Sequence, residues 1–133
     1  MGMYTELNIG VKLYPDSDML KKLRYMLHET AEDIEMNHPL FDTRRWEHML
    51  TSDSYYFDGQ TDSKLTTDRL YPEEPMYYLN VRCNLKNYDS EIKLFMDWLC
   101  PYIETEGFLG YMRYEMSYNP TLIYKEHGEI VYK

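Results

Sequence analysis

The chain has little alanine, little positive charge and few cysteines. Ala31 is the single alanine in 133 residues, and 14 Lys and Arg stand against 23 Asp and Glu, a net charge of −9. That balance excludes general attraction to phosphate backbones or anionic lipid. No apolar run approaches the roughly 20 residues of a membrane-spanning helix. The start, MGMYTELNIG, lacks a basic segment followed by an apolar one, so it does not read as a signal peptide. With two cysteines and no such signal, the expectation is reduced thiols in a cytoplasm.

Motifs of catalysis and metal binding are also missing. His28, His38, His48 and His127 form no H-x-x-x-H or H-x-H pair, and Cys83 and Cys100 form no C-x-x-C. Both cysteines fall at apolar positions and read as small buried hydrophobes. His48, Asp53 and Ser54 are neighbours in sequence, but a catalytic triad is defined by geometry, and no G-x-S-x-G occurs. No phosphate-cradling glycine motif is present, and Asp58, Asp62 and Asp68 lack the spacing and closing Glu of an EF-hand. The expectation is no catalytic residues, no metal and no cofactor.

What is present is a strong hydrophobic pattern. Met3–Tyr14 alternates strictly, with Met3, Thr5, Leu7, Ile9, Val11 and Leu13 on one face and Tyr4, Glu6, Asn8, Gly10, Lys12 and Tyr14 on the other. This predicts a long strand with one buried face, ended by Pro15. Met19, Leu20, Leu23, Met26 and Leu27 make a helical stripe after a cap at Asp16 or Ser17, with the helix ending near His28. Glu29–His38 reads as an acidic extension or loop, and Arg44–Leu50 as a short helix anchored by Trp46 and capped by Asp42 or Thr43. Short strands are expected at Ser54–Phe57 and Lys64–Thr67. Tyr77–Leu85 alternates again, with Tyr78, Asn80, Arg82 and Asn84 on the polar side. Asn87 or Asp89 caps a second helix over Ser90–Cys100. Phe108–Met116 forms a further strand, with Phe108, Gly110, Met112, Tyr114 and Met116 on one side. A hairpin turning at His127-Gly128 ends the chain.

With no long linker or repeat, the order predicts one α+β domain over residues 1–133. Its expected form is a ferredoxin-like βαββαβ antiparallel sheet, two main helices on one face and a C-terminal hairpin.

Two surfaces then stand out. The polar sheet face would gather Tyr4, Tyr14, Tyr78, Asn80 and Arg82. Aromatics with Arg and Asn can stack on and hydrogen-bond a base or other small ligand. The same residue types suit a protein contact, a homodimer included, and a sheet face simply open to solvent, where Tyr is favoured by its β propensity. The second surface is the acidic run Glu29, Glu32, Asp33 and Glu35, whose carboxylates can imitate nucleic-acid phosphates and steer the chain to a basic groove. Partner contacts are therefore expected at these four residues together with Tyr78 and Arg82.

Tyr reaches 15, while Gly, Pro and Arg number six each. That is the bias of an AT-rich genome, shared by many phages and mobile elements and by many cellular genomes. In size, acidity, Tyr content and the Glu29–Glu35 stretch, the chain resembles small phage-encoded accessory proteins of the anti-CRISPR or anti-defence kind. The resemblance implies a non-enzymatic inhibitor or adaptor in the host cytoplasm. It would occupy a partner protein's nucleic-acid-binding or interaction surface without contacting nucleic acid or membrane itself.

Overall fold

In a computed structural model, residues 3–32, 34–68 and 75–133 are described. The strands are β1 (Thr5–Leu13), β2 (Lys64–Thr67), β3 (Tyr77–Leu85), β4 (Gly107–Tyr114), β5 (Thr121–Glu126) and β6 (Glu129–Tyr132). The helices are α1 (Ser17–Met26) and α2 (Glu91–Leu99). The strands form one open antiparallel sheet in the order β2-β3-β1-β4-β5-β6, making the chain a mixed α+β fold.

β1 is central because both of its edges find long partners. Thr5 lies opposite Leu85 on one side and Tyr114 on the other. Its odd positions Leu7, Ile9, Val11 and Leu13 are buried against Leu23 and Met26 of α1 and Ile92, Phe95 and Leu99 of α2. Leu79, Val81, Cys83 and Leu85 of β3 join the same core. The alternation therefore points every apolar side chain of these two strands toward the helical layer.

Helix ends follow capping chemistry. Asp16 accepts the Met19 N–H at 2.9 Å. The other end of α1 closes with His28 in the left-handed region at φ 61°, where the Glu29 N–H reaches Arg24 O at 2.9 Å and the His28 N–H reaches Tyr25 O at 3.0 Å. This Schellman pattern satisfies two orphan carbonyls and stops the helix one turn short of the acidic run. At α2, Asn87 rather than Asp89 accepts a helical N–H, that of Ile92, at 2.9 Å. The hairpin turn at His127-Gly128 has φ of 53° and 78°, the two positive values a type I′ turn requires.

Four expectations are corrected. Ser54–Phe57 is a turn, not a strand. The short helix expected over Arg44–Leu50 is a 3-10 turn, Trp46–Thr51, and a second 3-10 turn, Pro39–Asp42, precedes it. Neither Asp42 nor Thr43 caps the Trp46–Thr51 turn; the Thr43 hydroxyl donates back to Leu40 O at 2.7 Å. Packing holds them: Phe41 meets the Trp46 and Trp98 rings edge-on at 4.9 and 5.6 Å, and Tyr25 stacks on Trp46. Finally, the alternation in β4 breaks at a bulge between Phe108 and Gly110. There Leu109 turns into the core while Phe108 is left exposed. Gly110 sits so close to β1 that a Cβ on it would lie 2.0 Å from Asn8 O. Only a residue without a side chain permits this approach.

Candidate functional site

The sheet face away from the helices carries rows of polar side chains, set by register. Asn84, Glu6 and Arg113 lie side by side across β3, β1 and β4, and Arg82, Asn8 and Tyr111 form the next row. This face is not simply solvated. The segment 52–63 continues along the β3 edge where β2 has not yet begun. Asn84 N–H donates to Ser52 O at 3.2 Å, Asp62 N–H to Arg82 O at 2.8 Å, and Arg82 N–H to Ser63 Oγ at 3.3 Å. Gly59 lies against the Arg82 guanidinium, where an added Cβ would stand 2.1 Å from Nη2.

That segment carries Phe57, which is buried, and the Arg113 guanidinium sits 5.2 Å from the Phe57 ring centroid. Arg113 Nη2 is also 4.0 Å from Glu6, whose side chain is 8% exposed. Glu6 and Asn84 are thus buried on the face expected to be open, with the Asn84 amide donating to Asp53 at 3.2 Å. A buried carboxylate is tolerated when paired. Burial, then the hydrogen bond to Glu6, raises the Tyr111 hydroxyl pKa. The Asn8 amide stands 3.4 Å from that hydroxyl.

The five proposed ligand residues do not converge. Tyr4 and Tyr14 lie ten residues apart on one strand path, about 33 Å at the usual rise. Asn80 lines a shallow depression of about 440 Å³ together with Asn8, Gly10, Phe108 and Tyr111. Tyr4 lines a different cavity of about 260 Å³ with Arg44, Arg45, His48, Ser52 and Lys86. Tyr78 is half-buried opposite Lys12, and Arg82 is exposed beside Gly59. Tyr14 is exposed at the far end. Among the acidic candidates, Glu29, Glu32 and Glu35 are exposed on an irregular segment, and Asp33 lies outside the described residues.

At the end of the sheet where β1 starts, aromatic and methionine side chains gather. Tyr88 accepts the Met3 N–H at 2.7 Å, Tyr4 stands 6.0 Å from Tyr56, and Tyr55 stacks on Tyr56 at 4.7 Å. Met116 follows the end of β4, where the Glu115 N–H donates to Tyr4 O. Exposure is 89% at Tyr55, 69% at Met116 and 99% at Tyr118. Tyr55, Tyr56, Tyr88 and Met116 were not singled out as contact residues from the sequence: Tyr55, Tyr56 and Met116 read as strand positions there, whereas all four stand in turns.

His28 and His48 also meet at this end, with ring nitrogens 3.2 Å apart. Among the described residues no group of three or more His, Cys, Asp or Glu is placed to hold a metal ion. Cys83 and Cys100 are free thiols and both are buried; burial, then the Glu6 charge, pushes the Cys83 thiol well above its ordinary range. Among the described residues no helix is long and apolar enough to cross a membrane. Comparison with family models, curated proteins and solved structures finds no match to this chain.

Proposed function

We propose that the chain is a non-enzymatic module that binds another protein through the sheet end where β1 starts. The observation that carries this reading is the cluster of exposed Tyr and Met side chains there: Met3, Tyr55, Tyr56, Tyr88 and Met116. Exposed Tyr and Met are the residue types enriched where protein interfaces concentrate their binding energy. The acidic run departs from the same end, since Glu29 follows His28, which touches His48. An aromatic centre with carboxylates at its rim fits a partner with a basic surface, such as a nucleic-acid-binding protein whose groove the chain would occupy. An anti-defence role in a host cytoplasm is one form of this reading, in line with the compositional resemblance.

The frame on which we place this surface is a ferredoxin-like split βαββαβ unit extended by the β5–β6 hairpin. The order β2-β3-β1-β4 with all neighbours antiparallel supports it. The alternative function is a small-ligand or nucleotide binder on the open face. The depression lined by Asn8, Asn80 and Tyr111 supports that reading, with Arg82 in the same row as Asn8 and Tyr111.

The test is capture of a partner by the wild type, by Tyr55→Ser/Tyr56→Ser/Met116→Ser, and by Glu29→Lys/Glu32→Lys/Asp33→Lys/Glu35→Lys. Loss of a specific partner in the first variant, and salt-sensitive weakening in the second, is expected. A partner held equally by all three refutes the assignment of the surface. Concentration-dependent dimerisation that the Tyr55/Tyr56/Met116 variant abolishes would give the same surface to a second copy of the chain.

A further inference from the structure

The cavity of about 260 Å³ beside Tyr4 is unusual in so acidic a chain. It is lined by Arg44, Arg45, His48 and Lys86 from two separate segments, with Ser52 adding a hydroxyl. The charge accounting is uneven. Arg44 is fully engaged with Asp89, through Nε to Oδ2 at 3.1 Å and Nη2 to Oδ1 at 3.0 Å, and its own backbone N–H adds a third bond at 3.0 Å. The Arg44 guanidinium in turn holds the Asp89 carboxyl at about 2, so the pair remains closed through the neutral range. Glu91, the other carboxylate near Arg44, is wholly buried at the start of α2 and accepts the Asp89 N–H.

Arg45 and Lys86 are not closed off in this way, although the Arg45 charge also helps to lower the Asp89 carboxyl. Neither forms an ion pair among the described residues. Each instead lies over a ring, Arg45 over Tyr88 at 5.0 Å and Lys86 over Tyr4 at 5.9 Å. Arg45 Nη1 is moreover buried without any hydrogen-bond partner. That nitrogen is closed off beneath the Tyr88 ring; what favours an anion in the cavity is the pair of cations beside it that lack an ion pair, since charge-assisted hydrogen bonds to anionic oxygens are the strong ones.

We infer that this cavity binds the phosphate of a small phosphate monoester, held by Arg45 and Lys86 with Ser52 as a neutral donor. A dianion balances the two unpaired cations, whereas a monocarboxylate leaves one of them uncompensated. Tetrahedral oxygens also accept donors converging from several directions, as those of separate chain segments must. The volume falls just below the range of about 300–1,000 Å³ usual for whole drug-sized ligands. It therefore suits a phosphate with a short organic stub, for which the Tyr4 ring is the adjoining wall.

The test needs no protein partner, so its result is separable from that of the surface proposed above. Inorganic phosphate, phenyl phosphate and acetate are titrated calorimetrically into the wild type, Arg45→Gln, Lys86→Gln and, as an exposed control on α1, Lys21→Gln. Amide shifts are followed by NMR. Saturable binding of both phosphates is expected, with shifts at Ser52 and His48, and acetate weaker by about tenfold or more. Arg45→Gln and Lys86→Gln should each weaken phosphate by about tenfold, and Lys21→Gln should not. Lys86→Gln keeps the test informative if Arg45→Gln melts differently from the wild type. Absence of saturable phosphate binding, acetate binding equal to phosphate, or an equal loss in Lys21→Gln overturns the proposal.

Discussion

Gly110→Ala should be among the most damaging single-methyl changes available in this chain, and Gly10→Ala among the mildest, though the two glycines sit on paired strands. An alanine Cβ at position 110 would stand 2.0 Å from Asn8 O and 2.7 Å from Ile9 Cα. Both are backbone atoms of β1, so no rotamer change relieves the overlap. The backbone there has φ of 153°, just inside the region that disfavours side chains. Overpacking against fixed structure costs about 1–3 kcal/mol, and an ill-suited backbone conformation of order 1 kcal/mol more. The sum of about 2–4 kcal/mol is a large share of the ~5–15 kcal/mol that holds a domain together. At ~2.1 cal/mol/K of unfolding entropy per residue, it lowers Tm by roughly 7–14 °C in a chain of this size. At Gly10 the nearest atom to an added Cβ is Asn80 Oδ1 at 3.4 Å, the end of a movable side chain. Gly10→Ala should stay within about 1 kcal/mol of the wild type, with a gain from reduced unfolded-state freedom. Urea unfolding followed by Trp46 and Trp98 fluorescence measures both. Equal stability of the two variants would refute the account of the bulge as a close-approach site.

Three further outcomes are expected. Leu79→Ala, which empties a fully buried site, should cost about 2–5 kcal/mol, whereas Asn80→Ala on the other face should change stability by under about 0.5 kcal/mol, both read from denaturant midpoints. The Asp89 carboxyl, depressed to about 2 by Arg44, should titrate near that value by NMR and return to the ordinary carboxylate range in Arg44→Gln. Since the folded pKa is the lower one, the pair's contribution is complete above about pH 4 and is lost as pH falls toward 2. Cys83 should resist a thiol reagent in the native protein at pH 8 and react once unfolded without reductant; rapid native labelling would contradict its burial.

Periodicity made much of this fold readable in the sequence. β1 and β3 are recognisable because nine successive residues in each alternate between the helix-facing core and the opposite sheet face, and α1 because Met19, Leu23 and Met26 fall on one stripe. The β4 bulge was not, since one extra residue reverses facing without altering composition: Phe108 looks like a core residue and is exposed. Nor was the covering of Glu6. It depends on Phe57, a lone apolar residue in a polar segment, reaching Arg113 from far along the chain. The cavity beside Tyr4 was hidden for a related reason. Its cations lie in two stretches about 40 residues apart and are brought together only by the 3-10 turns and the end of β3.

The central place of β1 has a consequence for how the chain is made. Among these elements it leaves the ribosome first, yet its two partners span Tyr77–Leu85 and Gly107–Tyr114. At about 5–20 residues per second, some 4–16 s separate Thr5 from Leu85. Throughout that interval Leu7, Ile9, Val11 and Leu13 have no sheet to join. A fold whose middle strand waits for the second half of the chain must close long loops before its core rewards them, which places it among slow folders with a high contact order. Such a strand, apolar on one side and unpaired on both edges, is the segment a holding chaperone would find first.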